Sequence, residues 1–173
     1  GGNDLLQVSS DGRVSTVAVF PERIVPVPAF FGGGQMPMQS VPTSVAQGPD
    51  GAYYVGELTG FPFPTGAARI YRVIPGSRPQ IFADGFSFIH DLAFGPDGSL
   101  YVLQFSDDLL ACEVFDNCDP SGSLIRVAPD GARTVLARQL PLPGGVAVSK
   151  NGQIYVSLLS ILPGMGMVVQ VTP

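Results

Sequence analysis

The chain has 173 residues, 45% apolar and 13% charged, with 14 acidic side chains against 9 basic ones and a formal net charge of −5. That balance excludes a disordered polymer, which pairs low hydrophobicity with high net charge, and a nucleic-acid binder, which needs clustered Lys and Arg. Twenty-two Gly and seventeen Pro exclude a helical bundle, and no apolar run reaches the roughly 18 residues of a membrane-spanning helix.

The elements follow in chain order. Asp4-Leu-Leu-Gln-Val8 predicts a strand, Ser10-Asp-Gly12 a turn, and Ser15–Phe20 a second strand. Phe30–Val41 reads as a long loop. Residues 42–55 then hold two short apolar runs around Pro49-Asp-Gly51, which predicts a tight hairpin, because Asp-Gly tolerates positive φ. Strands are predicted at Ala68–Ile74 and Gln80–Ala83. The same series recurs as a hairpin over 89–102 around Pro96-Asp-Gly98, then Ser123–Ala128, then Thr134–Ala137. It starts again as a hairpin over 143–156 around Lys150-Asn-Gly152, followed by Met167–Val171.

Gly51, Gly98 and Gly152 are 47 and 54 residues apart, and Tyr54, Tyr101 and Tyr155 keep the same steps. Four antiparallel strands per repeat are the blade of a β-propeller. A β-sandwich is the alternative, but it does not require residue-by-residue repetition. The fold class is therefore all-β, a β-propeller of about three four-stranded blades, half of a six-bladed ring. With blade strands named a to d from the axis outward, 1–20 gives strands c-d of one blade. Residues 42–84 and 89–138 form two whole blades, and 144–173 gives a-b-c of the last.

Closed propellers have about four to eight blades, so this arc requires completion. Two completions compete: a second chain closing the ring, or a missing N-terminal half of a longer polypeptide. The strand count favours the second. No charged-then-apolar leader opens the chain, so any export signal is expected outside it.

Gly1–Val8, Val41–Ala46, Gly48-Pro-Asp-Gly-Ala-Tyr-Tyr-Val-Gly-Glu-Leu-Thr-Gly-Phe-Pro-Phe-Pro64, Asp91–Val102 and Leu124–Gly131 resemble the ScyD/ScyE family of exported β-propeller proteins, named from gene clusters for the pigment scytonemin. The resemblance covers nearly the whole chain and matches the C-terminal half of such proteins. It implies a six-bladed propeller and an extracytoplasmic location, periplasmic or secreted. It carries over no catalytic residues.

Propellers bind ligands on the rim built by loops entering strand a and leaving strand b. His90 and Asp91 open a strand a. They read as a general base with Asp91 or Asp107 orienting it, or as a channel-mouth histidine bound to water. Glu57 ends a strand b, where it can serve as an acid, a metal ligand or neither, and Gln104 holds the same place one blade on. Asp107, Asp108, Asp116, Asn117 and Asp119 share a loop with Cys112 and Cys118. Such oxygen-rich loops suit calcium, yet the spacing fits no EF-hand, and the expected cofactor is none. The two cysteines read as a loop disulfide, implying an oxidising compartment, or as free thiols or half a metal site. Arg72 and Arg126 occupy equal positions and are expected to hydrogen-bond between blades.

The apolar loops carry the other candidates: Phe30, Phe31, Met36, Met38, Phe61 and Phe63, an apolar rim for a partner or small ligand. The leading function is a non-catalytic, extracytoplasmic binding or scaffold module. The alternatives are a propeller lyase or lactonase-like hydrolase with a channel metal, and a structural component of an envelope or extracellular assembly.

Overall fold

A computed structural model describes residues 2–108 and 121–172. Fifteen strands are described: β1 (Asp4–Val8), β2 (Val14–Val19), β3 (Arg23–Pro26), β4 (Gln35–Met38), β5 (Pro42–Gln47), β6 (Tyr53–Glu57), β7 (Ala68–Val73) and β8 (Gln80–Phe86) come first. They are followed by β9 (Ile89–Phe94), β10 (Leu100–Gln104), β11 (Gly122–Val127), β12 (Arg133–Leu140), β13 (Gly145–Val148), β14 (Ile154–Leu158) and β15 (Met167–Val171).

All pairing is antiparallel and between chain neighbours, giving the sheets β1-β2, β3-β4, β5-β6-β7-β8, β9-β10-β11-β12 and β13-β14-β15. The repeated hairpins form because Gly51, Gly98 and Gly152 take φ of 78°, 77° and 79°, a left-handed turn that a β-carbon resists. Between them the strands alternate sides. Inner-facing Val, Ile, Leu and Tyr from one sheet meet the next sheet face to face.

Three buried clusters follow. Ala18 and Phe20 pack on Val55, Tyr71 and Val73; Ile70 and Phe86 pack on Leu92, Leu100 and Val102; Tyr101 and Leu103 pack on Val146, Ile154 and Val156. The core therefore lies between sheets, as it does between blades. The first strands β5, β9 and β13 lie side by side. The sheets thus fan out from these three strands as an arc.

The sequence reading missed one element. The stretch before β5 is not simply a loop, because β3 and β4 pair from Arg23↔Met38 to Pro26↔Gln35. Prolines argue against a central strand, yet a two-stranded sheet is all edge and tolerates Pro26 and Pro37. Its tip is a single 3-10 turn, Ala29–Phe31, followed by Gly32, Gly33 and Gly34, all at positive φ.

Arg72 and Arg126 also differ from expectation. Each turns back within its own blade, Arg72 to Asp50 at 2.6 Å and Arg126 to Asp97 at 2.7 Å. The Asp of each Pro-Asp-Gly turn and the Arg of strand c come from one hairpin series, so the shortest route between them stays inside the sheet.

Candidate binding rim

The rim is built where strand a begins and strand b ends. Val41, Phe88 and Leu142, which precede the three first strands, have φ of 53°, 43° and 44°. Bulky residues rarely accept this region. The chain is pinned there by bonds across the rim: Leu58 N–H donates to the Val41 carbonyl at 2.9 Å, Phe105 N–H to Phe88 at 2.9 Å, and Leu159 N–H to Pro141 at 3.1 Å.

Glu57, at the end of β6, is fully buried. It accepts from the Arg23 guanidinium and, at 2.6 Å, from the Ser40 hydroxyl; Arg23 also donates to the Ala67 carbonyl at 2.9 Å. Burial pushes the Glu57 carboxyl above the usual range, against the opposing pull of Ser40 and of the Arg23 and Arg69 charges. The carboxylate therefore anchors the β3–β4 hairpin to the second blade.

Gln104, its counterpart at the end of β10, is also buried. Its Oε1 accepts from the Ser87 N–H at 2.8 Å, and its Nε2 donates to Asp107 at 2.6 Å and Ser123 at 3.1 Å. The Ser123 hydroxyl donates to Asp107 at 2.7 Å. Gln104 is uncharged, so unlike Glu57 it is buried without a cationic partner.

Asp91 faces the inner strands. Its Oδ1 accepts from the Ser44 hydroxyl at 2.8 Å and the Leu92 N–H at 2.9 Å, and its Oδ2 from the Val146 N–H at 2.8 Å. One carboxylate thus joins β5, β9 and β13. His90, half-buried, lies against Phe105 with ring centres 5.7 Å apart, and its Nδ1 is buried with no hydrogen-bond partner among the described residues. Asp91 and Asp107 are engaged elsewhere, so neither orients His90.

The aromatic candidates meet. Phe30 and Phe31 at the hairpin tip stack at 4.5 Å, Phe31 reaches Phe61 at 5.0 Å, and Phe61 reaches Phe63 at 6.1 Å. Phe30, Phe31 and Phe61 are exposed, whereas Phe63 and Met36 are half-buried. Met38 is a correction: it is fully buried and cannot face a ligand, because alternation along β4 turns it inward while Pro37 faces out. Thr65 donates to Asp108 at 3.0 Å, tying two rim loops together.

Cys112 and Cys118, with Asp116, Asn117 and Asp119, lie outside the described residues. Among the described residues, no group of three His, Cys, Asp or Glu lies close enough to hold a metal ion. The sequence reading missed Arg23, Ser40, Ser87 and Ser123. The shared positions of Glu57 and Gln104, and of Ser40 and Ser87, were the signal that could have found them.

No protein-family model matches the chain, and no curated protein matches it. Solved structures do. One is a candidate gluconolactonase, with a TM-score of 0.61 at 19% identity over 98% of this chain and 56% of that one. A second is virginiamycin B lyase from Staphylococcus aureus, with a TM-score of 0.58 at 12% identity over 99% of this chain and 49% of that one. A third is a protein of unknown function from Bacteroides caccae, with a TM-score of 0.53 at 14% identity over 99% and 50%. The chain is a partial β-propeller. It spans about half the length of these solved propellers. At such identities the likeness fixes the blade arrangement alone.

Proposed function

We propose that the chain is part of a closed propeller, completed by further polypeptide, that acts outside the cytoplasm as a binding module. Its rim presents Phe30, Phe31 and Phe61 to an apolar surface of a partner or small ligand. One observation carries this reading: Glu57, Gln104, Asp91 and Asp107 spend their hydrogen bonds on holding the rim together, while the aromatic run stands exposed across two loops. Exposed contiguous aromatics on a rigid support are the usual anchors of recognition. The resemblance to the ScyD/ScyE family supports the export part, and its most specific stretch carries Phe61 and Phe63.

The test is a thermal-shift screen of aromatic and aliphatic small molecules and of exported proteins from the same source. Ligands that raise Tm for the parent should lose that effect in a Phe31→Ser/Phe61→Ser variant whose own Tm is unchanged. Equal shifts in both would move the site elsewhere. Intact mass and solution size of the purified protein test ring completion.

A second reading has one observation in its favour: the buried, unpartnered His90 Nδ1 at the channel mouth. With lyase and gluconolactonase-type neighbours, it supports a lyase or lactonase-like hydrolase, with calcium in the channel as the candidate metal. Turnover of a lactone or of virginiamycin B that His90→Ala abolishes would establish it.

A further inference from the structure

At equivalent repeat positions, burial depends on whether a blade stands in front. Val8, Val73 and Val127 close the third strands of three sheets. Val73 is 0% exposed and Val127 3%, but Val8 is 67% exposed. Leu92, Val146 and Val45 share a place on the first strands. Leu92 is 5% exposed and Val146 8%, whereas Val45 is 50% exposed. Val45 borders a hollow of about 180 Å³ beside β1, walled also by Leu6, Val17 and Tyr53. Among the described residues β1 pairs only with β2, so its other edge is bare.

We propose that this hollow and the β1 edge are a strand-addition site for a β-hairpin, the a–b pair of the first blade. This rests on the ring-completion reading and adds the chemistry of the occupant. The hairpin's second strand pairs antiparallel with β1. Its first strand then stands in front of β5 and covers Val45. A lone extended segment on β1 leaves Val45 open, because it lies in front of β6.

A second copy of this chain does not supply the hairpin, because its β14 already pairs on both sides, with β13 and β15. The register is also set. In each described b–c pair a tyrosine lies opposite the polar residue of strand c: Tyr54↔Arg72, Tyr101↔Arg126 and Tyr155↔Gln170. The incoming strand therefore places a tyrosine opposite Gln7. Main-chain bonds supply affinity, and the tyrosine and the aliphatic hollow supply selection.

The probe is a synthetic peptide with the sequence of Ile89–Gln104, a hairpin of the required pattern, added to the isotope-labelled chain. Hydrogen exchange of the β1 amides facing away from β2 should slow by about tenfold or more, with β15 amides unchanged. Val45→Asp should abolish the protection; Val45 is half-exposed, so this variant keeps its fold. A peptide with serine in place of its tyrosine should bind more weakly. Protection of β15 instead, no protection at all, or protection that survives Val45→Asp would overturn the proposal. If mass and size show a ring closed by other polypeptide but the peptide leaves β1 unprotected, the strand-addition site fails and ring completion stands. If the purified chain stays alone yet the peptide protects β1, the strand-addition site stands and ring completion fails.

Discussion

Asp91 and Val146 are 55 residues apart, and the Val146 N–H donates to the Asp91 carboxylate at 2.8 Å. Through the same carboxylate Ser44 joins from 47 residues upstream. Three first strands are thereby tied at one point near the axis.

Replacing Asp91 by alanine strips the Val146 N–H and the Ser44 hydroxyl of their acceptor. We expect Asp91→Ala to lower stability by about 2–4 kcal/mol, since each buried unmatched donor costs about 1–3 kcal/mol. Asp91→Asn, which keeps one acceptor oxygen, should lose less. Urea unfolding of the three proteins reads the order directly.

Arg23→Ala leaves the buried Glu57 carboxylate without its cation. Breaking such a pair costs about 3–5 kcal/mol, and the β3–β4 hairpin should detach with it. The sign with pH follows from burial. Glu57 already titrates above the usual range, so its folded form binds a proton more readily than the unfolded chain. The penalty is full above its folded pKa and shrinks as pH falls through that value. Denaturation of Arg23→Ala at pH 7 and at pH 5 should show the smaller deficit at pH 5.

Asp97 behaves in the opposite sense. Arg126, with help from the Ser99 N–H, holds its carboxyl down to about 2 from 3.8. The folded value lies below the unfolded one, so its contribution is complete above pH 3.8 and fades as pH falls towards 2. The pair is well exposed, and its contribution is correspondingly small. The stability difference between the parent and Asp97→Asn should be flat above pH 5 and vanish near pH 2. A difference that grows on acidification would contradict the pairing.

Gly122 begins β11 where a β-carbon would overlap the Gln104 carbonyl oxygen. Backbone cannot yield as a side chain can, so Gly122→Ala should cost more than about 4 kcal/mol or prevent folding. At Gly56 the nearest atom to a β-carbon is Ile89 Cγ2, at 2.6 Å. That side chain can shift, so Gly56→Ala should cost about 1–3 kcal/mol. Soluble yield and melting temperature separate the two.

The blades were legible because a period of Asp-Gly turns sets strand ends, and alternation sets which face is buried. Tyr54, Tyr101 and Tyr155 kept their places for that reason. The β3–β4 hairpin was hidden because it has no counterpart in the repeat and carries prolines that read as loop. Met38 was misplaced with it, since a residue in a presumed loop has no inner side. Equivalence marked Glu57 and Gln104 as related, but their partners come from elsewhere in the chain. Arg23 lies 34 residues before Glu57, and nothing local to either announces the ion pair. The role of Asp91 was equally hidden, because two of its three donors are main-chain N–H groups and the third, the Ser44 hydroxyl, lies a whole repeat away.

The aromatic tip sits on an insertion, not on a blade. Phe30 and Phe31 ride on β3–β4, which pairs with no strand of a four-stranded sheet among the described residues, and Gly32 to Gly34 turn the chain behind them at positive φ. The tip beyond the Arg23–Glu57 anchor can therefore be lengthened or re-aimed while each blade keeps its pairing.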